Sequence, residues 1–220
     1  IYSARVKKAA EENDLEVISM DSIEDFGSEF HNLTFGEAIK KDLLTNYQVV
    51  ISVIRNHSIQ NLIQEAGILK KKDFITNAHI LANSVSVLRT IKKYNLKRVL
   101  SYHSRIKGAQ EFQTHLRDTQ ELILNKELKG KRISFDYIEG KMDASTRSQK
   151  ISSLENLEGL DTAIITNARC LQEGVDIAKL DGITFVDPKS SEIDIIQSVG
   201  RVIRKSNPKD KGTILIPLFI

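Results

Sequence analysis

The 220-residue sequence contains a single cysteine, Cys170, and no tryptophan. One cysteine cannot form an intrachain disulfide, which favours a reducing, cytoplasmic setting. The five histidines are scattered and show no metal-ligand spacing, so the sequence predicts no metal site. No apolar run approaches the roughly 18 residues that a membrane span needs, so no membrane partner is expected. These absences exclude disulfide-stabilised, zinc-structured and membrane-spanning proteins.

Charge of neither sign dominates, because 32 lysines and arginines are present beside 29 aspartates and glutamates. The net charge of +3 is too small to establish nucleic-acid binding, but it is compatible with a local basic surface. Hydrophobic residues make up 40% and charged residues 28% of the chain, as in an ordinary globular domain. Because the chain starts at Ile1 within a helical pattern, we expect a piece of a longer protein.

Short aliphatic runs alternate with helical patterns from Tyr47 onward, which predicts βαβ units and an α/β fold. The sheet is expected to be mostly parallel, with helices on both faces. The first run is almost continuously β-branched, so this strand is expected to be buried on both faces. The predicted strands are Tyr47–Ile54, Arg98–His103, Ile133–Ile138, Thr162–Thr166, Gly182–Val186 and Thr213–Leu218, and the predicted helices between them include His79–Tyr94, Ile106–Leu116 and Ser145–Leu154.

The first 46 residues have a different pattern, and we predict a boundary between residues 46 and 47. Arg5–Asn13 is typical of the end of a helix, and Leu15–Met20 is typical of a short strand. A polar, aperiodic stretch follows, and then a short helix with Thr34 as its N-cap and Glu37 as the capping-box partner.

Polar side chains follow the strands at the edge where parallel sheets bind ligands, the carboxyl ends of the strands. After Arg98–His103 come Ser104 and Arg105, a hydroxyl and a positive charge directly before a helix. Such a pair can bind a phosphate oxygen, although an ordinary turn with a serine cap is an alternative interpretation. Lys141 and Arg147 follow a later strand and could contact a nucleic-acid backbone, but solvated surface charges are the simpler interpretation there.

The stretch TNARCLQEGVDI ends another predicted strand. Thr166 and Asn167 supply hydrogen-bonding side chains, and Gly174 permits a close approach of the backbone to a ligand. Asp176 can accept a ribose hydroxyl or hold an arginine. These residues indicate a second polar strand end.

The stretch QSVGRVIRK predicts an amphipathic helix. Gln197, Arg201 and Arg204 fall within an arc of roughly 60° on a helix with about 100° per residue. The opposite face is aliphatic and is expected to be buried; it contains Ile195, Ile196, Val199, Val202 and Ile203. Taken alone, this pattern is most often a solvated face. Arginine nevertheless suits a terminal phosphoryl group, because its planar fork donates paired hydrogen bonds and stays charged.

Together, the polar strand ends and the arginine face predict an anion and nucleotide surface along one sheet edge. Adjacent turns of one helix would let both arginines reach a single triphosphate. An arginine that contacts the transferred phosphoryl group can raise the rate of phosphoryl transfer by a factor on the order of 10³ to 10⁵.

Three of these stretches resemble motifs of superfamily-2 helicases and translocases. SYHSRIKGAQEFQTHL resembles motif IV, TNARCLQEGVD resembles motif V, and QSVGRVIRK resembles motif VI. Their order and spacing are similar to those of the second RecA-like motor domain, over roughly Tyr47 to Ile220. The opening segment resembles the passage after motif III in type I and type ISP restriction-modification motors. The resemblance therefore implies that residues 1–46 are the tail of a preceding motor domain and a linker, and that 47–220 are the second motor domain.

The resemblance also implies roles for individual residues. It assigns arginine fingers to Arg201 and Arg204, nucleotide contacts to Gln197, Gly174 and Asp176, and nucleic-acid contacts to Ser104, Arg105, Thr166 and Asn167. ATP and Mg²⁺ would be bound mainly by the missing upstream domain, because the chain has neither a G-x-x-x-x-G-K-S/T loop nor an acidic Walker B strand. This fragment alone is therefore expected to be inactive.

The resulting prediction is an ATP-dependent DNA helicase or translocase that contacts the DNA backbone. Its expected partners are DNA, the upstream motor domain and nuclease or methyltransferase parts of a restriction system. DEAD-box proteins have His and Arg where this chain has Gln197 and Ser198, which disfavours the RNA branch. A RecA-like docking module without ATPase function is the alternative. A Rossmann-type enzyme is disfavoured, because no G-x-G-x-x-G turn is present.

Overall fold

A computed structural model describes residues 10, 12–13, 22–65, 78–157, 159–168, 177–189, 191–207 and 209–220. The chain forms two compact units, Ile1–Ala38 and Ile39–Ile220. The predicted strand Leu15–Met20 and most of the predicted helix Arg5–Asn13 lie outside the described residues. The predicted boundary between residues 46 and 47 stays a prediction.

Two short helices lie within the described residues 22–45. Helix α1 spans Ile23–Phe26, and helix α2 spans Phe35–Lys40. The backbone N–H of Glu37 donates to the Thr34 hydroxyl and the backbone N–H of Thr34 donates to the Glu37 carboxylate, each at 3.2 Å. This reciprocal pair satisfies two of the amide groups that a helix start leaves without partners, and the predicted capping box is confirmed.

The larger unit is built on a six-stranded, all-parallel sheet in the order β1-β6-β5-β2-β4-β3. The predicted α/β class and RecA-like architecture are confirmed. The strands are β1 Asn46–Ile54, β2 Arg98–His103, β3 Ile133–Ile138, β4 Thr162–Ala168, β5 Gly182–Phe185 and β6 Lys211–Phe219. The helices are α3 Asn56–Glu65, α4 Ala78–Tyr94, α5 Ile106–Asp118, α6 Ala144–Asn156 and α7 Glu192–Val202, and a π-helical turn spans Thr119–Ile123. Of these helices, α3 was not predicted.

Helices cover both faces of the sheet. On one face, α4 and α5 pack against the strands through a buried cluster that includes Val87, Leu88, Phe112, Leu116, Val99, Phe135 and Ile164. Helix α7 lies on the other face, where its last residue, Val202, contacts Gly212 of β6. A parallel sheet is stable when both faces are covered in this way.

The edge strand β1 differs from the prediction, which had both of its faces buried. Tyr47, Val49, Ile51 and Val53 are 40%, 51%, 60% and 52% exposed. The alternate residues face α4, where the Ser86 hydroxyl donates to the Ser52 hydroxyl at 2.5 Å. The prediction was wrong because a β-branched run specifies an extended chain, whereas the position of a strand within the sheet decides how many of its faces are covered.

The start of β6 lies directly against the end of α7. A Cβ atom at Gly212 would lie 2.6 Å from the backbone oxygen of Val202 and 3.1 Å from its carbonyl carbon. These are backbone atoms, which cannot rotate away as the end of a flexible side chain can. Glycine at this position therefore sets the distance between α7 and the sheet.

We expect Gly212→Ala to destabilise the protein by about 1–3 kcal/mol, as overpacking of a tightly packed site does. Gly108→Ala is the matched control, because a Cβ at this position in α5 meets nothing within 4 Å. The control should be neutral or stabilising by up to about 1 kcal/mol, since alanine favours a helix over glycine. Urea unfolding of the two variants checks the prediction, and equal free energies of unfolding would contradict it.

Candidate functional site

The turn between β2 and α5 is held by a carboxylate from the neighbouring strand end. The backbone N–H and the side-chain hydroxyl of Ser104 both donate to the Oδ2 atom of Asp187, each at 2.7 Å. Asp187 follows β5, which pairs with β2. This carboxylate was not among the predicted site residues. Its position directly after the predicted strand Gly182–Val186 was the available signal.

A cavity of about 580 Å³ opens beside the same turn. Among the described residues, three cationic side chains line it: Arg105 from the β2–α5 turn, Lys141 from the β3–α6 turn and Arg147 from the first turn of α6. Ser104, Ile106, Gly140 and Ala168 also line it. Solvated charges were the simpler interpretation of Lys141 and Arg147, because the sequence alone does not place them next to Arg105. The fold brings the three together at the carboxyl ends of β2, β3 and β4.

Helix α6 begins one residue earlier than predicted, and its cap is a different residue. Asp143 accepts the backbone N–H of Thr146 at 2.8 Å and the Thr146 hydroxyl at 2.7 Å. These hydrogen bonds lower the pKa of Asp143. Ser145, where the helix was predicted to begin, and Thr146 both lie inside the helix. The cap fixes the start of α6 and thereby the position of Arg147 at the cavity.

Thr166 and Asn167 were predicted to contact nucleic acid, and both side chains are buried in the structure. The Thr166 hydroxyl donates to the backbone oxygen of Ala109 at 2.7 Å, which fastens α5 to β4. The Asn167 amide donates to the backbone oxygen of Ser101 at 3.0 Å. The geometry therefore supports a packing role for both side chains, beneath the turns that line the cavity. Gly174 and Asp176 lie outside the described residues.

Helix α7 begins at a serine cap, where Ser191 accepts the backbone N–H of Asp194 at 3.3 Å. Val199 and Val202 are buried, as is Ile203 directly after the helix, and Gln197 is exposed, as predicted. Ile196 was predicted to be buried but is 47% exposed. Ser198 is buried in its place, and its hydroxyl donates to the backbone oxygen of Asp194 at 2.7 Å. The buried face is thus rotated relative to the prediction.

Arg204 does not lie on the helix with Arg201, contrary to the prediction. Helix α7 ends at Val202, and Arg204 forms an isolated antiparallel bridge with Leu44. The backbone N–H of Thr45 also donates to the Ile203 oxygen at 2.8 Å. The chain must turn here in order to enter β6, so the helical arc computed for Arg204 does not apply. Both arginines are half-buried.

The two arginines lie towards the amino ends of the strands. Leu44 and Thr45, which contact the end of the α7 region, directly precede β1. Burial lowers the pKa of Lys209 to about 8, and the nearby charge of Arg204 contributes to the same shift. The Lys209 ammonium donates to the backbone oxygens of Ala178 and Leu180, which precede β5, each at 3.0 Å.

The prediction of one anion-binding surface along a single sheet edge is therefore wrong. A helix that follows a parallel strand runs back towards the amino edge, and the 11 residues of α7 cover about 16 Å. The cavity with Arg105, Lys141 and Arg147 lies at the carboxyl edge, and Arg201 and Arg204 lie at the far end of α7. Two separate cationic regions result.

A neutral histidine lies beneath the carboxyl edge. Burial lowers the pKa of His103 to about 4, against a smaller raising effect of Asp187. The His103 ring is 2.8 Å from the Ser101 hydroxyl through Nε2, and its centroid is 5.0 Å from that of Phe112. A protonated ring would be a buried charge with few compensating partners, so this packing requires the neutral form.

The described residues contain no group of three or more His, Cys, Asp or Glu side chains that could hold a metal ion. Within the same part of the chain, every helix is too short or too polar to cross a membrane.

Acidification is expected to destabilise the protein through His103. The unfolded chain has the ordinary histidine pKa of 6.5 and the folded chain a pKa of about 4, so the unfolded state binds more protons between these values. Stability therefore falls as the pH falls through this window, by up to about 3 kcal/mol. His103→Gln keeps a hydrogen-bonding side chain but does not titrate. Urea unfolding at pH 7 and pH 4.5 should show a smaller loss for the variant, and equal losses would contradict the assignment.

Comparison with known proteins places these features in a family. Residues 62–206 match the family described as the helicase conserved C-terminal domain, which is more than half of the chain. The match extends from α3 to the residues just after Arg204, so it includes both cationic regions.

Solved structures show the same fold. The structure of the ATP-dependent type ISP restriction-modification enzyme LlaBIII bound to DNA covers 92% of this chain, with 28% identity and a TM-score of 0.78, and this chain spans 14% of that enzyme. A fragment of an HsdR subunit of a type I restriction enzyme from Vibrio vulnificus YJ016 covers 92% of this chain with a TM-score of 0.64. Its identity is 16%, and this chain spans 38% of it, so this likeness concerns the fold alone.

Curated viral proteins match shorter stretches. The helicase A859L of African swine fever virus, isolate Pig/Kenya/KEN-50/1950, is 38% identical over 60 residues, which is 27% of this chain and 7% of that protein. Helicase 22 of a Sulfolobus islandicus filamentous virus is 38% identical over 84 residues, which is 38% of this chain and 14% of that protein. This chain thus corresponds to a small part of the relatives that it matches.

Proposed function

We propose, because this chain belongs to the helicase conserved C-terminal domain family, that it is the second motor domain of an ATP-dependent DNA helicase or translocase. The family match over residues 62–206 is the observation that carries the proposal. The RecA-like fold supports it, because a second domain with this fold supplies one side of a nucleotide site that lies between two motor domains. The DNA in the LlaBIII structure supports DNA as the nucleic acid.

In this proposal, Arg201 and Arg204 contact the phosphates of an ATP molecule that the preceding motor domain holds. Arginine suits this role because its fork donates paired hydrogen bonds and keeps its charge at any working pH. Gln197, exposed on α7, contacts the same nucleotide, as do Gly174 and Asp176. Mg²⁺, bound mainly by the preceding domain, neutralises phosphate charge. Both arginines lie at the end of α7, so one closure of the two domains brings them to the phosphates together.

The cavity at the carboxyl edge binds the nucleic-acid backbone in this proposal. Arg105, Lys141 and Arg147 supply positive charge to phosphates, which carry no sequence information, so binding would be largely independent of sequence. Ser104 belongs to the same turn. Thr166 and Asn167 act through packing beneath it.

The intact protein to which this domain belongs is proposed from the same likeness. The likeness to LlaBIII supports a restriction-modification motor. In this proposal its partners are nuclease or methyltransferase parts, and it acts in the cytoplasm. The alternative, a RecA-like docking module without ATPase function, retains the fold but makes no use of the arginines. The effect of an arginine substitution on ATP hydrolysis separates the two.

Arg204→Ala in the full-length protein is expected to lower DNA-stimulated ATP hydrolysis by about 10³-fold or more, because an arginine finger contributes that much to phosphoryl transfer. Lys205→Ala is the matched control: it removes the neighbouring cation, which pairs with Asp42, and should leave turnover near that of the wild type. Initial rates of phosphate release at saturating ATP and DNA measure the effect. Near-normal turnover of Arg204→Ala would refute the finger assignment and favour the docking module.

Arg147→Ala is expected to weaken the binding of a single-stranded DNA oligonucleotide and to change its salt dependence. The slope of log K against log salt should decrease by about 0.7, the value for one phosphate contact on a single strand. Lys107→Ala is the control, because Lys107 is exposed on α5 and pairs with Glu111 at 3.6 Å. Fluorescence anisotropy between 50 and about 200 mM salt measures both effects. The cavity is not the DNA site if both variants have the wild-type slope.

A further inference from the structure

Asp187 directs the hydrogen-bond donors of Ser104. A single carboxylate oxygen accepts both the backbone N–H and the hydroxyl of this residue, each at 2.7 Å. These distances are typical of charge-assisted hydrogen bonds. A serine hydroxyl has one proton, so while it donates to Asp187 it cannot also donate to a phosphate. The contact that sequence analysis expected from Ser104 is therefore not made by these two donors.

The two sides of the β2–α5 turn face different neighbours. In the sheet, β5 pairs with one side of β2 and β4 with the other. Asp187 follows β5, whereas Ala168 at the end of β4 lines the cavity. Asp187 therefore holds the turn from the side opposite the cavity. The next residue, Arg105, has an extended backbone with φ −131° and ψ 145°, and its side chain lines the cavity.

A second contact joins the same two turns. The ammonium of Lys189 lies 4.8 Å from the ring centroid of Tyr102, the residue at the end of β2 that stacks on Phe185. This is within the range of cation–π attraction, which strengthens where the cation is shielded from water. Burial lowers the pKa of Lys189, in agreement with such shielding. The segment from Asp187 to Lys189 thus contacts the end of β2 with both an anion and a cation.

Helix α7 begins directly after this segment. Its N-cap is Ser191, two residues beyond Lys189, and Arg201 lies in its last turn. Three residues separate Asp187 from this N-cap, and one of them, Ser190, lies outside the described residues.

We infer that Asp187 is a positioning residue that orients the β2–α5 turn, so that Arg105 faces the cationic cavity. The inference rests on the proposed function of the cavity as a nucleic-acid site. The carboxylate acts here through its hydrogen bonds to Ser104, and not through a direct electrostatic effect on the nucleic acid. A carboxylate acting as a charge would instead repel phosphates from the cavity.

Two substitutions of Asp187 separate these roles. Asp187→Asn keeps one carbonyl oxygen that can accept both Ser104 donors but removes the negative charge. Asp187→Ala removes the acceptor and the charge together. Ser104→Ala removes the hydroxyl donor and keeps the backbone N–H, so it tests the contact from the other side without changing Asp187. Thermal unfolding of each variant establishes that it is folded.

Amide hydrogen exchange of a peptide containing Ser104 and Arg105 tests the positioning without nucleic acid. Exchange should be faster in Asp187→Ala than in the wild type and should return towards the wild-type rate in Asp187→Asn. Anisotropy with a single-stranded DNA oligonucleotide tests the consequence. Asp187→Ala should bind about tenfold more weakly, and Asp187→Asn within about twofold of the wild type, because hydrogen bonding is largely restored.

The exchange measurement tests the positioning role of Asp187, and the DNA-binding measurement also tests the proposed function of the cavity. Unchanged exchange in both Asp187→Ala and Ser104→Ala overturns the positioning role, whether or not DNA binds. Tighter DNA binding by Asp187→Asn also overturns it, because the carboxylate would then act as a repelling charge. If the wild type and Arg147→Ala bind DNA equally, the proposed function of the cavity fails, while the exchange result still decides whether Asp187 holds the turn.

Discussion

The parallel arrangement of the six strands is the constraint on which the rest of the geometry depends. Every strand ends at the same edge, so the turns after β2 and β3 converge there and bring Arg105, Lys141 and Arg147 around one cavity. Every helix must then run back to the opposite edge before the next strand can begin. Helix α7 obeys this rule and places Arg201 and Arg204 at the amino edge. The same constraint thus collects one set of cations and separates it from the other.

Buried polar side chains hold the carboxyl edge in place beneath its exposed cations. Thr166 ties β4 to α5, Asn167 ties β4 to β2, and neutral His103 packs against Ser101 and Phe112. Leaving such a group without a partner in the interior costs about 1–3 kcal/mol, so each of these hydrogen bonds restricts the strand ends to one arrangement. Asp187 holds the Ser104 turn above these groups. The polar residues at the strand ends are therefore largely structural, and they support the cations that can meet a phosphate.

Sequence patterns predicted the elements well where the local residue types themselves determine the local structure. The bounds of β2 and β3 agree with the prediction, because short runs rich in aliphatic and aromatic residues favour extended chain directly. The predictions were wrong where neighbouring elements determine the burial of a strand or the end of a helix. The exposed residues of β1, among them Ile51, are as aliphatic as those of a central strand, and only the order of strands leaves one face open. Likewise, Arg204 continues a helical pattern, but Leu44 and the entry into β6 end the helix before it.

By itself, the sequence determined the α/β class, the alternation of elements and the resemblance to helicase motor domains, because periodicity and short motifs are local properties of the chain. Only the tertiary structure decided which charged residues share a surface. Lys141 and Arg105 line one cavity, and Asp187 accepts both hydrogen bonds of Ser104. Arg201 and Arg204 lie at the opposite edge of the sheet. These are relations between residues that are distant in the chain, and the order of strands sets them. A single sequence contains no local pattern that reports such an order.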